Sequence, residues 1–192
     1  MKLNDGMLLY HGSYTLVEVI DLKQCAPGKD FGQGFYLTSD LNQARNFIRS
    51  VLDRAQARGI VPITQDYGFI SSYRFRIPSE ELKVHEFMTA DREWLWFIAS
   101  NRRRKFVPAL HQRIETIRTS DIVIGKVAND QTNPVLAAYL NGLYGDIQTE
   151  EAVKEAIRRL IPDHLVDQYC FLTEGAISCL EFKEARKQYV RA

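Results

Sequence analysis

Two short segments near the amino terminus decide the fold that we predict: Leu9–Ser13 (LYHGS) and Asp30–Thr38 (DFGQGFYLT). Each segment places a polar ring, His11 or Tyr36, beside small residues that let a ligand reach the backbone. Apolar residues flank both segments, and this pattern is typical of buried strands rather than of tails. A His and a Tyr presented in this way predict a pocket for a flat, polar ligand.

The composition indicates one soluble globular domain. A chain of 192 residues is long enough to bury a sizeable core, so we predict a single domain over residues 1–192. The net charge of +1 argues against broad, charge-driven binding of nucleic acid. No apolar run approaches the roughly 18 residues that cross a bilayer, and Met1–Asp5 does not open a secretory signal. We therefore expect a cytoplasmic protein with no membrane contact.

The cysteines and histidines lack the spacing of metal ligands. The three cysteines include no C-x-x-C pair, which argues against a disulfide framework and a zinc site. We expect Cys170 and Cys179 to be packing residues because both lie in apolar stretches. We expect His85, His111 and His164 to be surface or packing residues. The sequence therefore predicts no metal.

Hydrophobic periodicity predicts strands that are interrupted by four helices. The predicted helices run from Ser39 or Asp40 to near Gly59, through Trp94–Ile98, over Pro134–Leu143 and over Glu150–Ile161. Besides the two opening segments, the predicted strands are Ser71–Ile77, Asp121–Ala128 and, as the final strand, Gln168–Thr173. Strands and helices do not alternate strictly, so we predict an α+β fold with a mixed, mostly antiparallel sheet. Trp94 and Trp96 cannot share a helical face, so we expect one in the core and the other partly exposed.

The residues of the first segment can bind a nucleotide. Gly12 has no side chain, so its backbone N–H and C=O can both face a ligand, and a carboxamide would satisfy both. The His11 ring and the Ser13 hydroxyl can bond sugar hydroxyls. In the second segment, Tyr36 can stack its ring on a planar ligand. Taken alone, each segment also fits a structural turn or a β-bulge.

In combination, these segments resemble the ADP-ribosyltransferase superfamily, in the branch with a His-Tyr-Glu pattern that includes diphtheria toxin and the poly(ADP-ribose) polymerases. The chain is similar over nearly its whole length to a bacterial clade of that superfamily. Its further motifs are Glu93–Leu95 with Asn101-Arg102, Asp121–Asp130 and Asp167–Glu174. The resemblance implies an ADP-ribosyltransferase-like split sheet with flanking helices, and NAD as the substrate.

The resemblance also implies roles for matching positions. Gly12 and Gly34 would line the NAD site, with the Gly12 backbone binding the nicotinamide carboxamide. His11 would bond a hydroxyl of the adenosine ribose, assisted by Ser13. Tyr36 would stack on the nicotinamide ring. His11 and Tyr36 would thus be catalytic residues, together with a third residue on the late strand.

That third residue is Gln168, which stands where the branch has its catalytic Glu. Cleavage of the nicotinamide–ribose bond passes through an oxocarbenium-like transition state, which a nearby negative charge stabilises. Gln keeps a hydrogen bond to a ribose hydroxyl, but it carries no charge and cannot act as a general base. The loss of one such electrostatic contribution typically costs about 100- to 1,000-fold in rate.

Another carboxylate would have to supply the missing charge. Glu174 lies too far along the same extended strand, and Asp167 points to the opposite face. Asp130 is the best remaining candidate, and it also fits a loop cap beside Asn129.

The leading functional hypothesis is an NAD-dependent mono-ADP-ribosyltransferase, a glycosyltransferase that modifies an intracellular macromolecule. By resemblance, it would be a toxin of a toxin–antitoxin or phage-conflict system, with a protein or nucleic-acid acceptor and an antitoxin protein as partner. The alternative is a non-catalytic NAD- or ADP-ribose-binding module, which Gln168 favours. RNA 2′-phosphotransferases share the fold, but the His and Arg pattern on which they rely is not found here.

The basic run Arg102–Lys105 is open to two interpretations. One is a solvated end of a helix, where cations suit the helix dipole. The other is a contact with nucleic acid or with the phosphates of NAD. We expect acceptor choice to depend on the loops Gln56–Tyr67 and Arg102–His111.

Overall fold

The computed structural model describes residues 3–102, 114–126, 133–160 and 166–190. Its strands are β1 (Leu8–Ser13), β2 (Phe35–Leu37), β3 (Tyr67–Phe75), β4 (Val84–Glu86), β5 (Ile122–Lys126), β6 (Asp167–Phe171) and β7 (Leu180–Tyr189). Its helices are α1 (Leu41–Ala57), α2 (Arg92–Arg102), α3 (residues 114–118), α4 (Asn133–Leu140), α5 (Glu150–Leu160) and α6 (Glu174–Ile177). A short 3-10 helix lies at Leu22–Gln24.

Two sheets form the centre of the fold. Sheet A has the strand order β1-β3-β7 and is antiparallel throughout. Sheet B has the order β2-β6-β5-β4, in which only the β4–β5 pair is parallel. Leu9 and Tyr73 of sheet A share one apolar cluster with Phe35 and Tyr169 of sheet B. The predicted α+β class with a mixed, mostly antiparallel sheet is confirmed, and the sheet is split in two.

Among the described residues, one β-bridge, between Tyr10 and Thr38, joins the two sheets. Tyr10 N–H donates to Thr38 O at 2.8 Å, and Thr38 N–H donates to Tyr10 O at 3.0 Å. In a continued antiparallel ladder, the next pair of this kind would be Gly12 and Tyr36. The carbonyl oxygen of Tyr36 instead accepts a hydrogen bond from His11 Nδ1 at 2.8 Å. The ladder of backbone hydrogen bonds between β1 and β2 therefore ends at this bridge.

Helix α1 covers the outer face of sheet A, as its sequence pattern predicts. The Asp40 carboxylate caps its first turn by accepting from two backbone N–H groups at 2.8 and 3.3 Å. Ala44 and Ile48 on its buried side pack with Ile70 of β3. The cap and the helical span predicted from the sequence are thus confirmed, and the helix ends at Ala57.

A second core lies between sheet B and helices α2, α4 and α5. Trp94 and Trp96 of α2 are both buried, with 0% and 5% of their surface exposed, so the prediction that one would be partly exposed is wrong. The reason is that α4 covers the second side of α2, where Trp96 Nε1 donates to the Tyr139 hydroxyl at 2.8 Å. A helix that is buried all round has no polar face from which its orientation can be predicted.

The carboxyl-terminal strand was missed in the sequence. We predicted Gln168–Thr173 as the final strand, but β7 follows it and completes sheet A. Strand β7 lies at the edge of sheet A, and its sequence is rich in charged side chains that remain exposed. Edge strands often carry such charges, and these hide the strand in a hydrophobicity pattern.

Other boundaries differ by a few residues. Strand β3 begins at Tyr67 rather than at Ser71, and β6 ends at Phe171 because the Thr173 hydroxyl caps α6 by accepting from Ala176 N–H at 3.2 Å. Helix α4 ends at Leu140, before the predicted Leu143. The predicted strand Asp121–Ala128 is seen as β5, and residues 127–130 lie outside the described ranges.

Gly12 lies directly beneath α1, and this packing predicts a stability effect. A Cβ atom at Gly12 would overlap the backbone oxygen of Ala44 and lie 3.3 Å from Ile48 Cγ1. We predict that Gly12→Ala lowers the free energy of unfolding by about 1–3 kcal/mol, as overpacking typically does. Urea unfolding measures the change. Gly175→Ala is the matched control, because the nearest atom to its Cβ, Thr173 Oγ1, is 3.8 Å away. Equal losses in both variants would contradict the prediction.

Candidate functional site

His11 lies where the hydrogen-bond ladder between β1 and β2 ends. Its Nδ1 must carry the hydrogen, because its partner, the carbonyl oxygen of Tyr36, can only accept. In the neutral ring, Nε2 is therefore an acceptor. The ring packs against Phe35 with 4.5 Å between the ring centroids. Burial lowers the pKa of His11, and the hydrogen bond to the Tyr36 carbonyl opposes this only in part.

The backbone N–H and C=O of Gly12 point towards β2 but form no ladder pair with it in the described structure. Successive residues of a strand direct their N–H and C=O groups to opposite sides, so Gly12 points the same way as Tyr10, towards β2. Among the described residues, no backbone group of β2 pairs with Gly12, since the Tyr36 carbonyl accepts from His11 instead. A carboxamide offers an N–H donor for the C=O of Gly12 and a C=O acceptor for its N–H.

Ser13 ends β1 on the same face of sheet A as His11. Ser13 is buried, and its neighbours across the sheet are Phe69 of β3 and then Lys187 of β7. The Lys187 ammonium group lies 3.6 Å from the centroid of the Tyr67 ring. The face that carries His11 and Ser13 thus continues into aromatic and cationic side chains, which suit a nucleotide.

The loop between α1 and β3 is tied to this end of β1. Gln56 Nε2 donates to the carbonyl oxygens of Pro62 and Gln65, at 3.1 and 2.8 Å. Gln65 Nε2 in turn donates to Tyr14 O at 2.8 Å. The loop Gln56–Tyr67, which we expected to influence acceptor choice, therefore lies beside Ser13. The other such loop falls largely within residues 103–113, outside the described ranges.

The Tyr36 side chain holds the loop that precedes β2. Its hydroxyl donates to Gly32 O at 2.8 Å and accepts from Phe31 N–H at 2.9 Å. Because neighbouring side chains of a strand alternate, its ring lies on the opposite face from Phe35, which contacts His11. Burial raises the pKa of Tyr36 well above its ordinary value, so the hydroxyl stays protonated. Stacking of this ring on nicotinamide stays a prediction.

Gly34 is required by the packing of β2 on β6. A Cβ at this position would lie 2.6 Å from Cys170 Sγ and 2.7 Å from Phe171 O. Gly32, in the same loop, has a φ of 101°, which side chains rarely adopt. The close approach at Gly34 is thus made by β6, and its contact with NAD stays a prediction.

Gln168 is buried near the start of β6 and faces a carboxylate. Its Nε2 donates to Asp30 Oδ2 at 3.1 Å and to the carbonyl oxygen of Lys126 at 3.4 Å. Both partners only accept, so the amide nitrogen is directed at them and Oε1 is the acceptor that can meet a ligand. Asp30 was not predicted as a partner of Gln168, although it begins the second opening segment.

Asp30 is buried, with 6% of its surface exposed, and both of its carboxylate oxygens are engaged. Oδ1 accepts from Arg102 Nε at 2.6 Å and lies 2.5 Å from Arg102 Nη2, while Oδ2 accepts from Gln168. Asn101 Nδ2 donates to the backbone oxygen of Asp30 at 2.9 Å, and Arg102 also bonds Asn133 of α4. The interpretation of Arg102 as a solvated helix end is therefore wrong. Residues 103–105 of the basic run lie outside the described ranges.

Two of the carboxylates that we weighed from the sequence, Asp167 and Glu174, lie in the described part of the chain. Asp167 pairs with Lys126 on the neighbouring strand, at 3.2 Å between Oδ1 and Nζ. Glu174 is in the first turn of α6, so its expected position on an extended strand is wrong. Asp130 lies outside the described residues, as do His111 and His164.

The packing roles expected for the remaining residues agree with the structure. Cys170 and Cys179 are buried thiols, and His85 packs edge-on against Phe87 with 4.5 Å between ring centroids. Across the described ranges, no three His, Cys, Asp or Glu side chains are grouped as a metal site requires. No helix among the described residues has the length and apolar character needed to cross a membrane.

Residues 7–182 match the model of a protein family described as "Protein of unknown function (DUF3990)". The chain belongs to the DUF3990 family. The match includes His11, Asp30, Tyr36 and Gln168, so the whole site lies within the part that defines the family. The search of curated proteins finds no match. A function for this DUF3990 protein must therefore be argued from the geometry of its site.

The lowered pKa of His11 predicts a pH-dependent contribution to stability. The folded-state pKa lies below the unfolded value of about 6.5, so the stabilisation is complete above that pH and is lost as the pH falls through the folded-state pKa. His11→Gln keeps an amide donor for the Tyr36 carbonyl but does not titrate. We expect the wild type to lose more unfolding free energy than His11→Gln between about pH 7.5 and about pH 5, by urea unfolding. Parallel pH profiles would refute this.

Proposed function

We propose that this protein is an NAD-dependent mono-ADP-ribosyltransferase that modifies an intracellular macromolecule. The observation that carries the proposal is the interrupted ladder between β1 and β2. His11 donates a hydrogen bond to the Tyr36 carbonyl. The N–H and C=O of Gly12 therefore point towards β2 without a backbone partner among the described residues. These two groups suit the carboxamide of nicotinamide.

The proposed reaction breaks the glycosidic bond between nicotinamide and ribose. The bonding electron pair leaves with nicotinamide, and a nucleophile of the acceptor forms the new bond to the ribose carbon and releases its proton to solvent. In this proposal Gly12 orients the nicotinamide, and His11 Nε2 accepts a hydrogen bond from a hydroxyl of the adenosine ribose. Gln168 Oε1 accepts one from a hydroxyl of the nicotinamide ribose, which places electron density near the developing positive charge.

The second candidate is a non-catalytic NAD- or ADP-ribose-binding module. Gln168 supports it, because an amide carries no charge and cannot act as a general base. The carboxylate beside it, Asp30, is paired with Arg102 and so offers a compensated charge. Chain elongation is not part of either candidate, since by resemblance it depends on the Glu that Gln168 replaces.

We propose a cytoplasmic protein with a protein or nucleic-acid acceptor, whose toxicity an antitoxin protein neutralises. Support comes from the resemblance of the sequence to the ADP-ribosyltransferase superfamily, and a fold alone does not imply such a role.

Labelled NAD and cell lysate test the transferase directly. We expect the wild type to transfer label to a macromolecule, and His11→Ala to lower the rate by about 100-fold or more. His85→Ala is the matched control, because His85 is also a partly buried histidine with a lowered pKa but lies on β4. Intact NAD and unlabelled macromolecules with the wild type would count against catalysis.

Calorimetry with NAD separates stacking by Tyr36 from its loop contacts. Tyr36→Phe keeps a ring but removes the two hydrogen bonds to Gly32 and Phe31, whereas Tyr36→Ala removes both features. If the ring stacks on nicotinamide, Tyr36→Phe retains NAD affinity and Tyr36→Ala loses about tenfold or more. Equal losses would contradict stacking. NAD binding by the wild type without nicotinamide release would favour the binding module, and no binding would contradict both candidates.

A further inference from the structure

We infer that Asp30 is a positioning residue for Gln168, and that it directs negative charge to the ribose site through the Gln168 amide. The catalytic part of this inference rests on the proposed function. Its structural part, a fixed amide orientation, can be tested without NAD.

The two oxygens of the Asp30 carboxylate are divided between two partners. Oδ1 faces the guanidinium group of Arg102, at 2.5 and 2.6 Å from its nitrogens, and Oδ2 faces Gln168 Nε2 at 3.1 Å. The ion pair holds the plane of the carboxylate, and Oδ2 accepts from the Gln168 amide. Such charge-assisted hydrogen bonds are stronger and more directional than neutral ones.

The position of Asp30 is fixed independently of Gln168. Asn101 bonds its backbone oxygen at 2.9 Å. Phe31, the next residue, is buried and lies over Gly125, where a Cβ atom would be 3.0 Å from Phe31 Cζ. Gly125 is the cross-strand partner of Gln168 in the β5–β6 pair. The glycine therefore lets the Asp30 loop approach the strand that carries Gln168.

Gln168 can donate in two directions and both are used inside the protein. Asp30 Oδ2 accepts one bond and the Lys126 carbonyl accepts the other, so turning the amide over would set its oxygen against two acceptors. The amide is thereby held with Oε1 away from Asp30. A carboxylate that accepts from an amide N–H also polarises the amide, which makes Oε1 a better acceptor for a ribose hydroxyl.

This arrangement explains why Gln, rather than Glu, suits position 168. In Gln168→Glu, the carboxylates of residues 168 and 30 would lie about 3 Å apart. At that distance the two groups cannot both be ionised. The substitution alone is therefore not expected to create an efficient enzyme. An exchange of the two groups, in Asp30→Asn with Gln168→Glu, restores one amide and one carboxylate with the hydrogen bond reversed.

The activity test compares these variants in NAD turnover. We expect Asp30→Asn to lower kcat by about 100-fold with little change in the KM for NAD, since misplacing a group at the reacting centre has effects of this size. We expect Gln168→Glu to be impaired and the double variant to be more active than either single variant. Asp5→Asn is the control, because it removes a carboxylate from an exposed pair with Arg76. Wild-type kcat in Asp30→Asn, or a double variant no better than the singles, would overturn the inference.

The structural test uses NMR of the side-chain amide, assigned by its absence in Gln168→Leu. We expect both Gln168 Nε2 protons to be protected from exchange in the wild type, and the one that faces Asp30 to lose protection in Asp30→Asn. An unchanged Gln168 amide would overturn the inference even if NAD turnover is absent. Failure of NAD to bind would instead contradict the proposed function alone. Should Asp30→Asn not fold, Asp30→Glu keeps the charge, shifts its position and gives the same two readouts.

Discussion

One hydrogen bond, from His11 Nδ1 to the carbonyl oxygen of Tyr36, determines how the two sheets meet. It occupies the acceptor that would continue the ladder to Gly12, so in the described part of the chain the bridge at Tyr10 and Thr38 is the last pair between the sheets. Gly12 is buried, and an unsatisfied buried polar group costs about 1–3 kcal/mol. A ligand that pairs with the Gly12 backbone would recover this cost. The described structure thus leaves the Gly12 backbone without a strand partner because a side chain has replaced the strand pair.

The ion pair between Asp30 and Arg102 plays a second organising role. It connects the loop before β2 to the end of α2, and Arg102 extends the connection to Asn133 at the start of α4. Burying such a pair gains little net stability, whereas removing one partner typically costs about 3–5 kcal/mol. The pair is therefore better understood as fixing positions than as supplying stability. What it positions is the carboxylate beside Gln168 and the loop that the Tyr36 hydroxyl closes.

Much of the fold could be predicted because its signals are local. The cap at Asp40, the apolar face of α1 and the aromatic strand after Gly34 each depend on residues near in sequence. The partner of Gln168 could not be found in this way, since Asp30 lies 138 residues away. The ion pair with Arg102 and the packing of Phe31 over Gly125 bring the two side chains together. Two features of the sequence did hint at the pairing. Asp30 begins a glycine-rich segment, and Asn101-Arg102 lies at the end of a helix. The predictions for the charged strand β7 and for the buried Trp96 were wrong for a different reason. Tertiary neighbours overrode the local sequence patterns of both.

The charge balance around Gln168 bears on how far the site can act as an enzyme. A Glu at this position would present its charge directly to the ribose, whereas here the charge is set back by the length of an amide and shared with Arg102. Coulomb interactions weaken with distance and with compensation by an opposite charge, so the stabilisation of an oxocarbenium-like transition state is smaller. Ground-state binding depends much less on that charge, because neutral groups of Gly12, His11 and Gln168 supply the hydrogen bonds. For the function that we propose, this charge distribution favours slow, single transfer over rapid or repeated transfer.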